Sequence, residues 1–387
     1  MPSSCPRPPV DVAVVGGGPA GTAAAVAAAR RGASIALFDR VDARRHDVGE
    51  TVPPGTAALV TQLFGDGAFD PSAHLPNYGT WSVWGDDEVT VTDSLVTNPF
   101  GFGWHLDRAA FDDGLRHAAT QAGVHLVEAS VTAIERDGER WELATVDREG
   151  RRSILNARAV IDATGRRAML ARAAGARRRV YDRLCAAVTW FTDPAPREHV
   201  LIVEAVEAGW WYTAPAPNDH RVCVFLTDAD LFPHEVRTGF GFGDLLASTI
   251  AVGAVIGAGA RRSEPRLVAA DTATLDPCGG AGWLATGDAA ASFDPLSGQG
   301  IATALVLGET AGGAAHEMLH GAHGGARVRY QAEHDRLVTA HLVRRDAHYR
   351  DEWRWSDAPF WRRRHVAALT REDRAREADT SRSQAAE

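Results

Sequence analysis

With 387 residues, 45% of them hydrophobic and 24% charged, the chain has material for two domains or for one large domain with an insertion. A formal charge of −9 argues against a nucleic-acid binder, and the four cysteines (Cys5, Cys185, Cys223, Cys278) form no CxxC pair, so neither a metal site nor a disulfide framework is suggested. All 41 Lys-or-Arg positions are arginine, which removes every mechanism that needs a lysine. The N-terminal MPSSCPRPP is too polar and Pro-rich for a signal peptide, and no apolar run reaches the roughly 18 residues of a membrane helix, so a cytoplasmic location is expected.

The first ordered stretch is a recipe for gripping a dinucleotide. Val10–Val15 is short, apolar and β-branched, as a buried parallel strand should be, and Gly16-Gly17-Gly18-Pro19-Ala20-Gly21 follows it at once. In this G-x-G-x-x-G, Gly16 permits the tight turn, Gly18 lets backbone approach a pyrophosphate, and Gly21 lets the Ala-rich helix lie close on the strand with its N-terminus facing the anion. Gly32 ends that helix, Ser34–Phe38 reads as the second strand, and Asp39, followed by Arg40, is placed to take the ribose hydroxyls of the adenosine half.

Beyond a Gly- and charge-rich loop containing Gly49-Glu50, Ala57–Phe64 is helix-like. Thr80–Trp84 and Val89–Thr92 read as an excursion toward a second sheet, and Ala109–Ala122 as a helix that returns to the first domain. Strands follow around His125–Ala129 and Trp141–Thr145, and a further one ends in Asp162-Ala163-Thr164-Gly165, a turn shaped for backbone approach to a ligand. Leu184–Phe191, Val200–Val206, Gly209–Thr213 and Arg221–Thr227 are consecutive strands, which implies an antiparallel sheet. Gly287-Asp288 and then Pro295-Leu296-Ser297-Gly298-Gln299-Gly300-Ile301 open an Ala- and Leu-rich helix; the acid suits sugar hydroxyls and the turn amides suit an oxygen or ring carbonyl, as the middle of a long dinucleotide requires. Arg327–His365 reads as charged helix with an aromatic cluster.

These three motifs in this order resemble the FAD-dependent family with the p-hydroxybenzoate hydroxylase fold, which includes flavin-dependent halogenases and geranylgeranyl reductases. The resemblance implies an α/β fold: a Rossmann-type FAD-binding domain (1–65, 104–180 and 270–325), an inserted antiparallel-sheet substrate domain (66–103 and 181–269), a C-terminal helical segment (326–370) and a disordered tail (371–387). It implies that Gly16, Gly18, Pro19, Ala20, Gly21, Asp39 and Arg40 hold the adenosine and pyrophosphate. Gly287 and Asp288 would hold the ribityl chain, Pro295, Gly298, Gln299, Gly300 and Ile301 would lie beside the isoalloxazine, and Glu50 and Arg108 would face the flavin.

Trp210-Trp211-Tyr212-Thr213-Ala214-Pro215 resembles the Trp-x-Trp-x-Ile-Pro signature of tryptophan halogenases, with Tyr212 and Ala214 as departures. Those enzymes use a lysine and a turn glutamate; here lysine is missing and Ser297 stands at the acid's place. The branch most resembled therefore modifies tryptophan by hydroxylation, including the hydroxylases of tryptophylquinone maturation. The implied activity is an FAD monooxygenase acting through a flavin C4a-hydroperoxide on an electron-rich aromatic, an indole or tryptophan ring, free or in a peptide or protein. An oxidase or dehydrogenase, a geranylgeranyl reductase-like enzyme, a halogenase and a non-catalytic peptide escort are the alternatives. Trp210, Trp211 and Tyr212 are either substrate-pocket walls or core packing, and Glu50 and His105 are either proton-handling groups or structural ones. With Asp162-Ala163-Thr164-Gly165 in place of the Asp-Gly motif of single-component hydroxylases, and no second G-x-G-x-x-G, a separate flavin reductase is the expected electron source.

Overall fold

The computed structural model describes residues 5–6, 8–40, 48–193, 198–233, 241–257, 260–321 and 323–371. Of the tail expected to be disordered, 372–387 lie outside the described residues.

Val10–Val15 pairs in parallel with Ile35–Asp39 on one side and with Arg152–Asp162 on the other. This centre extends outward to His125–Asp137 on one side and to Trp283–Ala285 and Gly279–Gly280 on the other; Arg140–Asp147 pairs antiparallel with both His125–Asp137 and Arg152–Asp162, and Cys5–Pro6 completes an eight-stranded sheet. Val12, Ala13, Val14, Ala36 and Leu37 are completely buried, because both faces of a parallel sheet are covered and its strands must be apolar throughout. Helix Pro19–Ala29 covers one face and is itself packed under helix Gly300–Leu319. Gly308 and Gly312 set that approach: a Cβ at Gly308 would stand 2.3 Å from the Ala20 carbonyl oxygen and one at Gly312 2.2 Å from that of Ala24. The alanines of the first helix are thus a packing surface for a second helix nearly three hundred residues later in the chain.

The second sheet has seven strands in the order Arg266–Ala269, Leu184–Thr192, His220–Asp228, Gly209–Ala216, Leu201–Val206, Gly79–Val83 and Thr90–Asp93. The four consecutive strands expected from 184 to 227 are all present and antiparallel wherever they pair, Leu184–Thr192 with His220–Asp228 and the other three in chain order, and the early excursion joins them through the parallel pair Leu201–Val206 and Gly79–Val83. Both faces of this sheet's central strands are covered. Trp211 and Phe225 point into a cluster with Phe242, Val252 and Ile256, whereas Trp210, Val224 and Leu226 point the other way, toward Tyr349, Phe360 and Trp361.

The charged helix expected over 327–365 is two helices, His323–Asp351 and 359–371. Pro359 starts the second, where its missing N–H costs nothing. Between them Glu352 is turned fully inward, accepting the Gly85 N–H at 2.8 Å and the guanidinium of Arg354, so the tail is fastened to the second sheet's early excursion. No described helix is long and apolar enough to cross a membrane.

Candidate functional site

The turn after the first strand is divided by what its glycines touch. Gly16 has φ +118°, and a Cβ there would lie 2.1 Å from the Ala163 carbonyl oxygen. A Cβ on Gly21 would lie 1.8 Å from the Gly16 carbonyl oxygen, which makes it the residue that lets helix meet strand. Gly18 has nothing within 4 Å of where its Cβ would be, and its φ of −80° is open to any residue. No contact within the protein requires glycine at position 18, and a helix N-terminus with no side-chain cap lies directly behind it. Asp39 stands at the end of the neighbouring strand, where a Cβ on Gly17 would touch its carboxylate carbon at 2.5 Å, and Arg116 donates to its Oδ2 at 3.2 Å. Arg40 is exposed beside it.

Asp162 turns inward. Its Oδ1 accepts from the Thr164 N–H at 3.0 Å and the Thr164 hydroxyl at 2.6 Å, and its Oδ2 accepts from the Ala171 N–H at 3.0 Å. This carboxylate is spent on shaping the Thr164-Gly165 turn. Its carbonyl accepts the Thr286 N–H, which brings Gly287 against the first helix, 2.6 Å from the Ala20 Cβ to where a Cβ would be. Asp288, half exposed, then lies 3.8 Å from Arg166 Nε, whose Nη1 is held by Asp271 at 2.7 Å.

The turn 295–301 presents a second helix N-terminus. Asp294 caps the short turn Pro295–Ser297 by accepting the Leu296 N–H at 3.0 Å, Gly298 takes φ +60°, and neither Gly298 nor Gly300 has anything within 4 Å of a notional Cβ. Helix Gly300–Leu319, in which Ile301 is buried, begins after Gln299 without a side-chain cap. Behind the turn runs a line absent from the sequence reading: Trp210 Nε1 donates to the Tyr349 oxygen at 3.1 Å, and the Tyr349 hydroxyl donates to Asp294 Oδ2 at 2.8 Å. Burial raises the pKa of both Asp294 and Tyr349, so this proton stays on the tyrosine and the aspartate sits inside the protein. Asp294 immediately precedes the turn and Tyr349 lies in the late charged helix, and no local pattern joins residues so distant in the chain. His341 holds the same turn from below, its Nε2 accepting the Asp294 N–H at 3.3 Å, and burial followed by the charges of Arg345 and Arg344 lowers its pKa to about 3.

Across from these turns, Thr51–Val52 pairs with Gly103–His105. Arg108, in the first turn of helix Arg108–Gln121, donates to the Glu50 carboxylate and, through Nε, to Asp112 at 3.0 Å. His105 is buried, its Nδ1 2.8 Å from the Thr51 hydroxyl and its Nε2 without a partner in the protein. Burial, then the nearby Arg221 and His199, lowers its pKa to about 3, so the imidazole is neutral at neutral pH and can offer a hydrogen bond but not a positive charge. His74 Nδ1 accepts the Asp107 N–H at 3.1 Å, which fixes the residue that caps the Arg108 helix.

Of the three aromatic residues at 210–212, the structure brings two together. Trp210 and Tyr212 share a face, and the Tyr212 hydroxyl donates to the Val48 carbonyl at 2.8 Å, close to Glu50. Trp211, one residue away on a strand, points to the opposite face and is completely buried against Phe225 and Phe242. A separate cavity of about 350 Å³ is lined by arginines already engaged by carboxylates, Arg345 by Asp182 and both Arg363 and Arg364 by Asp228.

Residues 10–203 match the family model described as pyridine nucleotide-disulphide oxidoreductase. A Marinomonas mediterranea protein, LodB, named as an FAD-dependent oxidoreductase, is 29% identical over 369 residues, 92% of this chain and 97% of its own. The myxobacterial chondrochloren halogenase CndH, described as an FAD-dependent halogenase variant, superposes with a TM-score of 0.81 at 24% identity, covering 97% of this chain and 89% of that one. The peptidyl tryptophan dihydroxylase QhpG, described as essential for tryptophylquinone cofactor biogenesis, superposes with a TM-score of 0.77 at 23% identity, covering 92% and 79%. These likenesses below 25% identity establish the shared architecture: a Rossmann-type sheet with an inserted second sheet and C-terminal helices. The Gly16–Gly21 turn between strand and helix, the two uncapped helix ends and the match over 10–203 lead to one conclusion: the chain belongs to the pyridine nucleotide-disulphide oxidoreductase family and is an FAD-dependent oxidoreductase.

Proposed function

We propose that the protein is a flavin-dependent monooxygenase that hydroxylates an electron-rich aromatic ring, with an indole carried by a peptide or protein as its first substrate. Gly18 and the first helix N-terminus would hold the pyrophosphate, Asp39 the adenosine ribose, Asp288 the ribityl chain and the 295–301 turn the ring. Pro19, Ala20 and Gly21 would shape the pyrophosphate turn, and Arg40 would flank the adenosine end. Bound FAD supplies the activation of O₂ once it has been reduced. The chain's own part is then placement and dryness. The Glu50–Arg108 pair would flank the ring, His105 would offer a neutral Nε2, and Tyr212 would stand on the substrate side, with Trp210, itself buried against Tyr349, packed behind it as core.

The observation that carries this reading over halogenation is the turn itself. Ser297 occupies the place of the halogenases' glutamate, the turn's one carboxylate is Asp294, pinned inward by Tyr349 and Leu296, and no lysine exists anywhere in the chain. The chain also carries a single G-x-G-x-x-G, which supports delivery of electrons by a separate flavin reductase. The halogenase likeness makes the competing outcome testable. Supplied with a flavin reductase, O₂ and bromide, and offered free tryptophan and tryptophan-bearing peptides, the protein is expected to add oxygen and no bromine by mass spectrometry. Enzyme-dependent bromination would overturn the reading.

A further inference from the structure

The large apolar side chains left in solvent are unevenly spread. Tyr78, Val89, Val91, Leu95, Val96 and Phe100 fall in one short stretch, with Val91 61%, Val96 82% and Phe100 68% exposed. Strand Thr90–Asp93 ends the seven-stranded sheet: among the described residues it pairs only with Gly79–Val83, and all four of its residues are exposed. Soluble proteins guard such an edge with lysine, proline or a bulge, because unpaired backbone groups invite another strand. Between Asp86 and Ser94 there is neither proline nor a basic residue. From this edge, Ser94–Thr97 and the turn to Phe100 carry the apolar surface to a groove of about 230 Å³ lined by Gly55, Ala57, Ala58, Phe100, Phe102 and Trp104. Trp104 pairs with Val52 beside the loop that holds Glu50, so the surface leads to the proposed flavin side of the molecule.

Charge selects what would bind there. Arginine is plentiful elsewhere, yet none occurs between Arg45 and Arg108. Asp87 on this rim is met by Arg354 at 2.6 Å, but Asp86, Glu88 and Asp93, also exposed along the edge, pair with no cation among the described residues; the carboxylates of Asp86 and Asp93 accept the backbone N–H groups of Glu88 and Leu95. An apolar edge rimmed by uncompensated carboxylates favours an apolar segment that is also basic, and disfavours a second copy of this acidic edge.

We propose that this face docks an extended, apolar and basic segment of a polypeptide, which adds a strand to Thr90–Asp93 and seats an apolar side chain in the groove between Gly55 and Trp104. The proposal rests on the reading that the acceptor ring belongs to a peptide or protein, and it names the surface that would bring that ring to the site. The test uses the FAD-loaded protein and two fluorescein-labelled synthetic peptides, one alternating valine and arginine around a single tryptophan, the other alternating valine and glutamate. By fluorescence anisotropy the arginine peptide should bind, more weakly as salt rises. Val91→Arg and Val96→Arg should each weaken it at least about tenfold, with flavin absorbance and circular dichroism unchanged. Equal binding of the two peptides, no binding of either, or binding indifferent to both variants would overturn the proposal. So would a wild-type dimer in sedimentation that the variants dissociate, since the face would then belong to a second copy. Anisotropy needs no reductant, so a protein that binds the arginine peptide but never oxygenates refutes the monooxygenase reading alone. One that oxygenates a peptide with both variants unaffected refutes the docking surface alone.

Discussion

Gly18→Val is expected to yield a folded protein that has lost its flavin. Gly18 adopts φ −80°, which valine accepts, and nothing in the protein lies within 4 Å of the new Cβ, so the substitution has no partner to strain. Its methyl groups would instead occupy the space above the helix N-terminus that a pyrophosphate needs. The variant should purify colourless, with wild-type circular dichroism and an FAD affinity reduced by roughly 100-fold or more, about 2.7 kcal/mol of binding. Gly21→Val is the contrast. Its Cβ would lie 1.8 Å from the Gly16 carbonyl oxygen, so it should fail to fold rather than fold empty. Wild-type FAD content in Gly18→Val would mean that this turn does not hold the cofactor.

Acid should loosen the site before it unfolds the rest, and two histidines account for the direction. His105 and His341 have folded pKa values near 3 against an ordinary 6.5, with burial the main cause in both. The unfolded chain therefore binds their protons first as pH falls below 6.5, and the stability that the neutral imidazoles contribute is lost progressively from about pH 6.5 toward pH 3. At pH 5 the loss is roughly 2 kcal/mol for each residue. His341 is the more telling of the two, because its Nε2 accepts the Asp294 N–H and protonation removes that acceptor from beneath the 295–301 turn. Urea unfolding at pH 7 and pH 5 should show the decline, and His341→Gln, which keeps an acceptor but no titrating group, should flatten it. An unchanged pH slope in that variant would show that the histidine is not the source.

What the sequence disclosed and what it withheld divide along a physical line. The turn after the first strand was legible because its pattern is local: strand, three glycines, helix and acid follow one another, Gly21 meets Gly16, and Gly16 meets Ala163 at the end of the adjacent strand. The four strands from Leu184 to Asp228 were legible from their own apolar patterns, and three of them pair in chain order, whereas Leu184–Thr192 skips its neighbour and pairs with His220–Asp228. The role of Gly308 and Gly312 was hidden, because the alanines that require them are in the first helix. The break at 352–358 was signalled by Pro359 alone, while the inward turn of Glu352 depends on Gly85. Trp210, Tyr349 and Asp294 come from a sheet strand, a late helix and a turn, and only folding places them in one hydrogen-bonded line. Trp210-Trp211-Tyr212 read as a single aromatic block, whereas the strand's two-residue period sends Trp211 to the opposite face.

The proposed reaction is tested most directly by the origin of one atom. The FAD-loaded protein, an external flavin reductase and a tryptophan-bearing peptide are incubated under ¹⁸O₂, and the intact mass of the peptide is measured. The account predicts a peptide heavier by one ¹⁸O atom and located by fragmentation on the indole ring. Label found only in hydrogen peroxide, with every acceptor either unchanged or lighter by two hydrogens, would make the protein an oxidase or dehydrogenase and contradict the account.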